Sequence, residues 1–145
     1  AEAQLNRDLL PVQLPFTYAH EFSHLLGVSN EAEANYWAYR ACTESDVQTM
    51  RYSGYMGLLP YVLSNASSLL TKEQFQEWVR AIRPEIIASY NENRNYWKER
   101  YSPIIGKVQE VTYNLFLKGN QIPSGRKNYA EVISLLLSLQ KENGE

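Results

Sequence analysis

At four points where a helix is expected to start, a small polar residue is followed three positions later by Glu or Gln: Asn30 and Glu33, Ser45 and Gln48, Thr71 and Gln74, Asn128 and Glu131. Each pair reads as a capping box, in which two orphan N–H groups at a helix start are satisfied reciprocally. Glycine and proline add further punctuation: Gly27 reads as a helix stop, Pro84 as a start or kink, and Ser102-Pro103 as an N-cap with proline at the first helical position. No stretch alternates polar and apolar residues with period two. The reading is therefore all-α: a single compact domain over 1–145, built of about six or seven helices around one short motif.

Helices are expected over about 16–26, 30–42, 45–59 with a bend or end near Pro60, 61–70, 71–82, 84–97, 102–116 and 128–139. Residues 1–10 also have helical composition, and 11–15 should be extended between two prolines. Apolar spacing puts Tyr18, Phe22, Leu25 and Leu26 on the buried side of the first of these helices, with His20 and His24 on the other. The next helix carries Ala32, Ala34, Trp37, Ala38 and Ala41, and its small residues should let it pack closely on the first.

Composition removes several function classes. With 44% hydrophobic residues the chain has enough apolar material to fold, and a net charge of −2 leaves no electrostatic footprint for nucleic acid. Cys42 is the only cysteine, which excludes an internal disulfide and a thiolate zinc site. No apolar run approaches a membrane span and no signal peptide is visible. The start at Ala1-Glu2-Ala3 reads as a cut from a longer protein.

Within the expected helix over 16–26 lies His20-Glu21-Phe22-Ser23-His24, an H-E-x-x-H. Histidines four apart stand one turn apart on one helix face, so two imidazoles can aim at one metal ion. Glu21 projects about 100° round the axis from His20, placed to take a proton from an attacking water rather than to bind the metal. The pattern arises by accident in roughly half a percent of chains this long. A histidine on a helix is more often a packed core residue than a ligand, but the only two histidines of this chain both stand in the motif.

A zinc site open to water needs one more protein ligand. With no histidine left, that ligand is expected to be a carboxylate. Glu31, seven residues past His24 and just beyond Gly27, is the first choice; Glu33 is its rival, about 200° away on the helix. Taken alone, the two read as an acidic first turn favoured by the helix dipole. With Glu31 on the metal, Glu33 is free for the cap. Asn35, one turn beyond Glu31, is placed to accept the distal N–H of a ligand histidine.

His20-Glu21-x-x-His24 followed by Glu31-Ala-Glu-Ala-Asn35 resembles the H-E-x-x-H…E-x-E-A-N pattern of gluzincin metallopeptidases, the ImmA/IrrE type in particular. The resemblance implies Glu31 as third zinc ligand and Asn35 as the residue four positions on. The chain is more closely similar to a bacterial domain-of-unknown-function family, number 3810, through Leu14-Pro15-Phe16, the motif, Glu31 to Asn35, Arg51-Tyr52-Ser53-Gly54-Tyr55 and the segment from Gly125 to Tyr129. That resemblance implies a zinc peptidase whose full-length bacterial form is membrane-associated through N-terminal helices absent from this chain.

The chain departs from the gluzincin pattern in three ways. The step from His24 to Glu31 is shorter than in thermolysin-like enzymes and nearer metzincin spacing, where Asn30, a poor zinc ligand, takes the third histidine's place. A substrate-holding sheet ahead of the motif would lie outside this chain. No downstream histidine is present to stabilise an oxyanion, so that role falls to Tyr52 or Arg51, with Tyr129 behind them; each also fits ordinary packing or a surface charge. The expected activity is Zn²⁺-dependent hydrolysis of a peptide or protein, with Glu21 as general base. The rivals are a metal-holding domain that cleaves nothing and a purely structural helical domain.

Overall fold

A computed structural model describes residues 5–100 and 125–142. The described residues form six α-helices and no strand: α1 Leu14–Leu25, α2 Glu31–Thr43, α3 Gln48–Leu69, α4 Lys72–Ala81, α5 Pro84–Arg100 and α6 Gly125–Glu142. The all-α expectation holds. The helix expected over 102–116 lies outside the described residues. The chain divides into two units, one reaching to Asn65 and resuming at Asn128, the other covering Ala66–Lys127.

In the first unit α1 packs on α2. The core joins Phe16 of α1, Ala32, Ala38 and Cys42 of α2, Leu58 of α3 and Val132 of α6, with Tyr36, Tyr39 and Tyr61 packed against it. Small residues make the close approach possible: Ala34, Ala38 and Cys42 are fully buried, whereas Trp37 and Ala41 turn outward, Ala41 taking no part in the packing expected of it. Arg40 covers the Trp37 ring instead, at 5.7 Å. Two glycines let α3 close on its neighbours. A Cβ at Gly54 would stand 2.8 Å from Cys42 Cβ, and one at Gly57 would overlap the Phe16 ring. Burial pushes the Cys42 thiol pKa up, as befits a core residue.

The start of α1 has no side-chain cap. Leu10 to Gln13 close a turn, with the Gln13 N–H on the Leu10 carbonyl at 2.8 Å, and the helix follows directly. Pro11 occupies the second position of that turn, where its fixed φ fits; this is why 11–15 is not extended as expected. Nor are residues 5–10 helical. One N–H left over in the first turn, that of Phe16, is taken by buried Ser53 Oγ of α3 at 3.1 Å. A cap supplied from another helix fixes α1 and α3 in register.

Three punctuation marks act as read. Gly27 has φ +101°, which glycine tolerates. Its N–H meets the His24 carbonyl at 3.0 Å and the Val28 N–H meets the Ser23 carbonyl at 3.1 Å, the paired bonds of a Schellman turn. Asn30 Oδ1 accepts the Glu33 N–H at 2.9 Å to open α2, the N-cap half of the expected box without the Glu33 side chain reaching back. Thr71 and Gln74 form the full reciprocal box that opens α4. The other two boxes do not form. Ser45 Oγ accepts the Val47 N–H at 3.1 Å, a local turn that postpones α3 to Gln48. Asn128 lies inside α6, which starts at Gly125. Pro60 does not end a helix either. It removes one N–H, but Leu58 and Tyr61 are anchored on the core to either side and α3 continues to Leu69.

The exposed side of α1 is the opposite of that expected. Tyr18, Phe22, Leu25 and Leu26 are 40–72% exposed, while Phe16 and Ser23 are buried and both histidines are largely covered. Tyr18 and Phe22 stack on one another, centroids 6.1 Å apart. The polar side of α1 faces inward because α2 brings an acidic partner to it, as the site geometry shows.

In the second unit, α4 presents Phe75 and Trp78 6.0 Å apart, and α5 carries Tyr96 between Trp97 and Arg100. No residue of α4 or α5 is buried. No helix among the described residues is long and apolar enough to cross a membrane.

Candidate metal centre

One stretch from α1 through the Gly27 turn into α2 supplies three side chains that meet. His20 and His24 sit one turn apart, rings edge to face with centroids 4.7 Å apart. The Schellman turn folds the chain back, and Asn30 caps α2 so that Glu31 is its first residue. His20 Nε2 lies 3.3 Å from Glu31 Oε2, His24 Nε2 lies 3.4 Å from Glu31 Oε1, and the two Nε2 atoms are 3.2 Å apart. For ligand bonds of about 2.0–2.1 Å, the edge of a coordination tetrahedron is about 3.3–3.4 Å. The three groups therefore stand at separations that fit one divalent ion, and they are the group among the described residues able to hold a metal. Glu33 is exposed on the far side of α2, its backbone serving the cap.

The aim of each ring depends on its other nitrogen. His24 Nδ1 lies 2.6 Å from the Val28 carbonyl. A carbonyl only accepts, so Nδ1 carries the proton and the neutral ring keeps its lone pair on Nε2. The turn that ends α1 thus also orients its last histidine, a contact made by backbone that no residue type signals. His20 Nδ1 is buried and makes no hydrogen bond. Asn35, itself buried, stands near enough to His20 to favour its protonated form, and Asn35 Nδ2 donates to Tyr61 Oη of α3 at 3.0 Å. Tyr61, on the α3 face shared with Ser53 and Gly57, did not emerge from the sequence; the fourfold spacing of 53, 57 and 61 is the only trace it leaves.

Charge in the trio is shared. Burial works to lower the His20 pKa, but the hydrogen bond and charge of Glu31, the charge of Glu21 and the Asn35 amide together outweigh it and raise the pKa above 6.5. The Glu31 carboxyl is held below 4.5, first by its hydrogen bond to His20, against the opposing effect of burial. A negative oxygen ligand beside two imidazoles suits zinc and its first-row neighbours.

Glu21 is half-buried next to His20, close enough for its charge to act on that ring, and is not part of the converging trio. Tyr52 is 40% exposed on α3, with no hydrogen bond to the trio among the described residues. The Arg51 guanidinium is engaged with the Ser45 carbonyl at 2.8 Å, which stations it at the turn between α2 and α3. The Tyr129 side chain lies outside the described residues.

Residues 1–137 match the family described as "Protein of unknown function (DUF3810)", and the chain belongs to that family, as its motifs suggested. No curated protein and no solved structure matches the chain.

Proposed function

We propose that the first unit is a zinc-dependent peptide hydrolase. The observation that carries this reading is the meeting of His20 Nε2, His24 Nε2 and Glu31 carboxylate at 3.2–3.4 Å, with Glu21 beside them. His20, His24 and Glu31 would hold the ion, and three protein ligands leave a position open. Zinc held there supplies a Lewis acid that acidifies water and polarises a peptide carbonyl.

The remaining steps belong to the chain. Val28 keeps the His24 proton on Nδ1, so Nε2 is free to bind. Glu31, held as a carboxylate, balances charge without needing to lose a proton near neutral pH. Glu21 takes a proton from the attacking water on its carboxylate and returns it to the leaving amine. Peptide or protein is thus the substrate class.

Turnover of a peptide library by the zinc-loaded protein tests the reading. Wild type should cleave, and Glu21→Gln should bind zinc equally well while cleaving nothing. Zinc bound with no cleavage by wild type would leave a metal-holding domain without this chemistry. Cleavage undiminished in Glu21→Gln would remove Glu21 as the base.

A further inference from the structure

His24 has a fixed acceptor for its Nδ1 proton, and His20 has none. A buried ring N–H left unpartnered is costly, and a ring free to choose either tautomer presents its Nε2 lone pair only part of the time. Besides Glu31, Glu21 and His24, the polar side chain acting on His20 is Asn35, and an amide has one accepting end and one donating end. Which end faces the ring decides the tautomer. An amide oxygen holds the proton on Nδ1 and leaves Nε2 open to a metal; an amide NH₂ does the reverse.

We infer that Tyr61 is a positioning residue of the metal centre: its phenol oxygen takes the Asn35 Nδ2–H, turning Asn35 Oδ1 toward His20 to accept the Nδ1–H. The observed Asn35 Nδ2 to Tyr61 Oη bond of 3.0 Å is the half of this arrangement already made. The other half joins Asn35 Oδ1 to a ring that Asn35 already acts on, at a Nδ1 atom shielded from solvent. Tyr61 is itself anchored, packed against the core that joins α1, α2, α3 and α6. The two histidines are thus oriented by different devices, a main-chain carbonyl for His24 and a side-chain pair spanning α2 and α3 for His20.

The inference rests on the metal-site reading, and one experiment separates the two. Ring ¹H and ¹⁵N shifts and Nδ1–H exchange rates of both histidines are recorded for wild type and Tyr61→Phe, without metal at pH below the His20 pKa, and Zn²⁺ affinity is measured by chelator competition. Wild type should show a hydrogen-bonded, slowly exchanging Nδ1–H on both rings. In Tyr61→Phe, the His20 Nδ1–H should exchange faster while that of His24, tied to Val28, stays unchanged, and zinc affinity should fall by about 10- to 100-fold. A ring signal for His20 identical in the two proteins overturns the inference, as does an equal disturbance of His24, which would mean general loosening. Failure of wild type to bind zinc counts against the metal site, yet the metal-free shifts still decide the role of Tyr61. Should Tyr61→Phe not fold, Asn35→Asp and Asn35→Leu replace it. Asp keeps an accepting oxygen and should preserve the slow His20 Nδ1–H exchange, Leu should lose it, and an unchanged His20 Nδ1–H in Leu overturns the inference.

Discussion

The two units of this chain are both helical, yet they differ in how their helices are held. In the first, α1, α2, α3 and α6 share a core of buried apolar residues, and buried polar groups find partners on other helices, as Phe16 N–H does on Ser53 and Asn35 does on Tyr61. In the second, α4 and α5 have clear starts at Thr71 and Pro84 but bury no residue. Local signals are enough to start a helix in either place. Tertiary contacts of the first kind are needed to hold side chains to within tenths of an ångström, and the candidate centre lies where those contacts are.

That contrast can be broken most directly through zinc. Glu31→Ala should abolish binding measured by chelator competition, while Trp78→Ala in α4 should leave it unchanged; a loss in both would mean that the units do not behave independently. Packing comes next. Gly57→Ala drives a methyl into the Phe16 ring and should cost about 1–3 kcal/mol in denaturant melts, whereas Gln76→Ala on the exposed side of α4 should stay within about 0.5 kcal/mol.

Acidity probes the site alone. Zinc needs a neutral His20, whose pKa is raised, so affinity should fall by up to about tenfold for each pH unit below that pKa. In metal-free protein the ion pair has a window of its own. The His20 contribution is complete below 6.5 and lost as pH rises through its raised pKa; the Glu31 contribution is complete above 4.5 and lost as pH falls through its lowered one. The pair should therefore stabilise the metal-free fold most between those two values, and His20→Gln should flatten the pH dependence of its melting temperature. The smallest effect belongs to α4: Thr71→Ala removes a complete capping box and should cost about 1 kcal/mol, visible as faster amide exchange confined to that helix.

What could be read from the sequence follows the same division. Gly27, Asn30, Thr71 and Pro84 mark helix ends through contacts three or four residues away, so residue types sufficed. The three converging residues were legible because a helical repeat and one glycine turn fix their geometry locally. Ser45 failed as a cap because a two-residue turn competed for its hydroxyl, and Pro60 failed as a stop because packing on both sides carried the helix through. The inverted burial of α1 has a deeper cause. Amphipathic patterning assumes that the apolar side faces the core, but here Glu31 and Asn35 call the histidine side inward, leaving Tyr18 and Phe22 outside. Ser53 and Tyr61 act across 37 and 26 residues, beyond the reach of any local pattern.

The Val28 carbonyl that steers His24 has a consequence of its own. Every amino acid carries that oxygen, so no substitution at position 28 can delete it, and a residue-by-residue alanine survey would pass over it in silence. Only a change in the path of the chain, through the neighbouring glycine, can withdraw it. Heredity here preserves a bend rather than a letter.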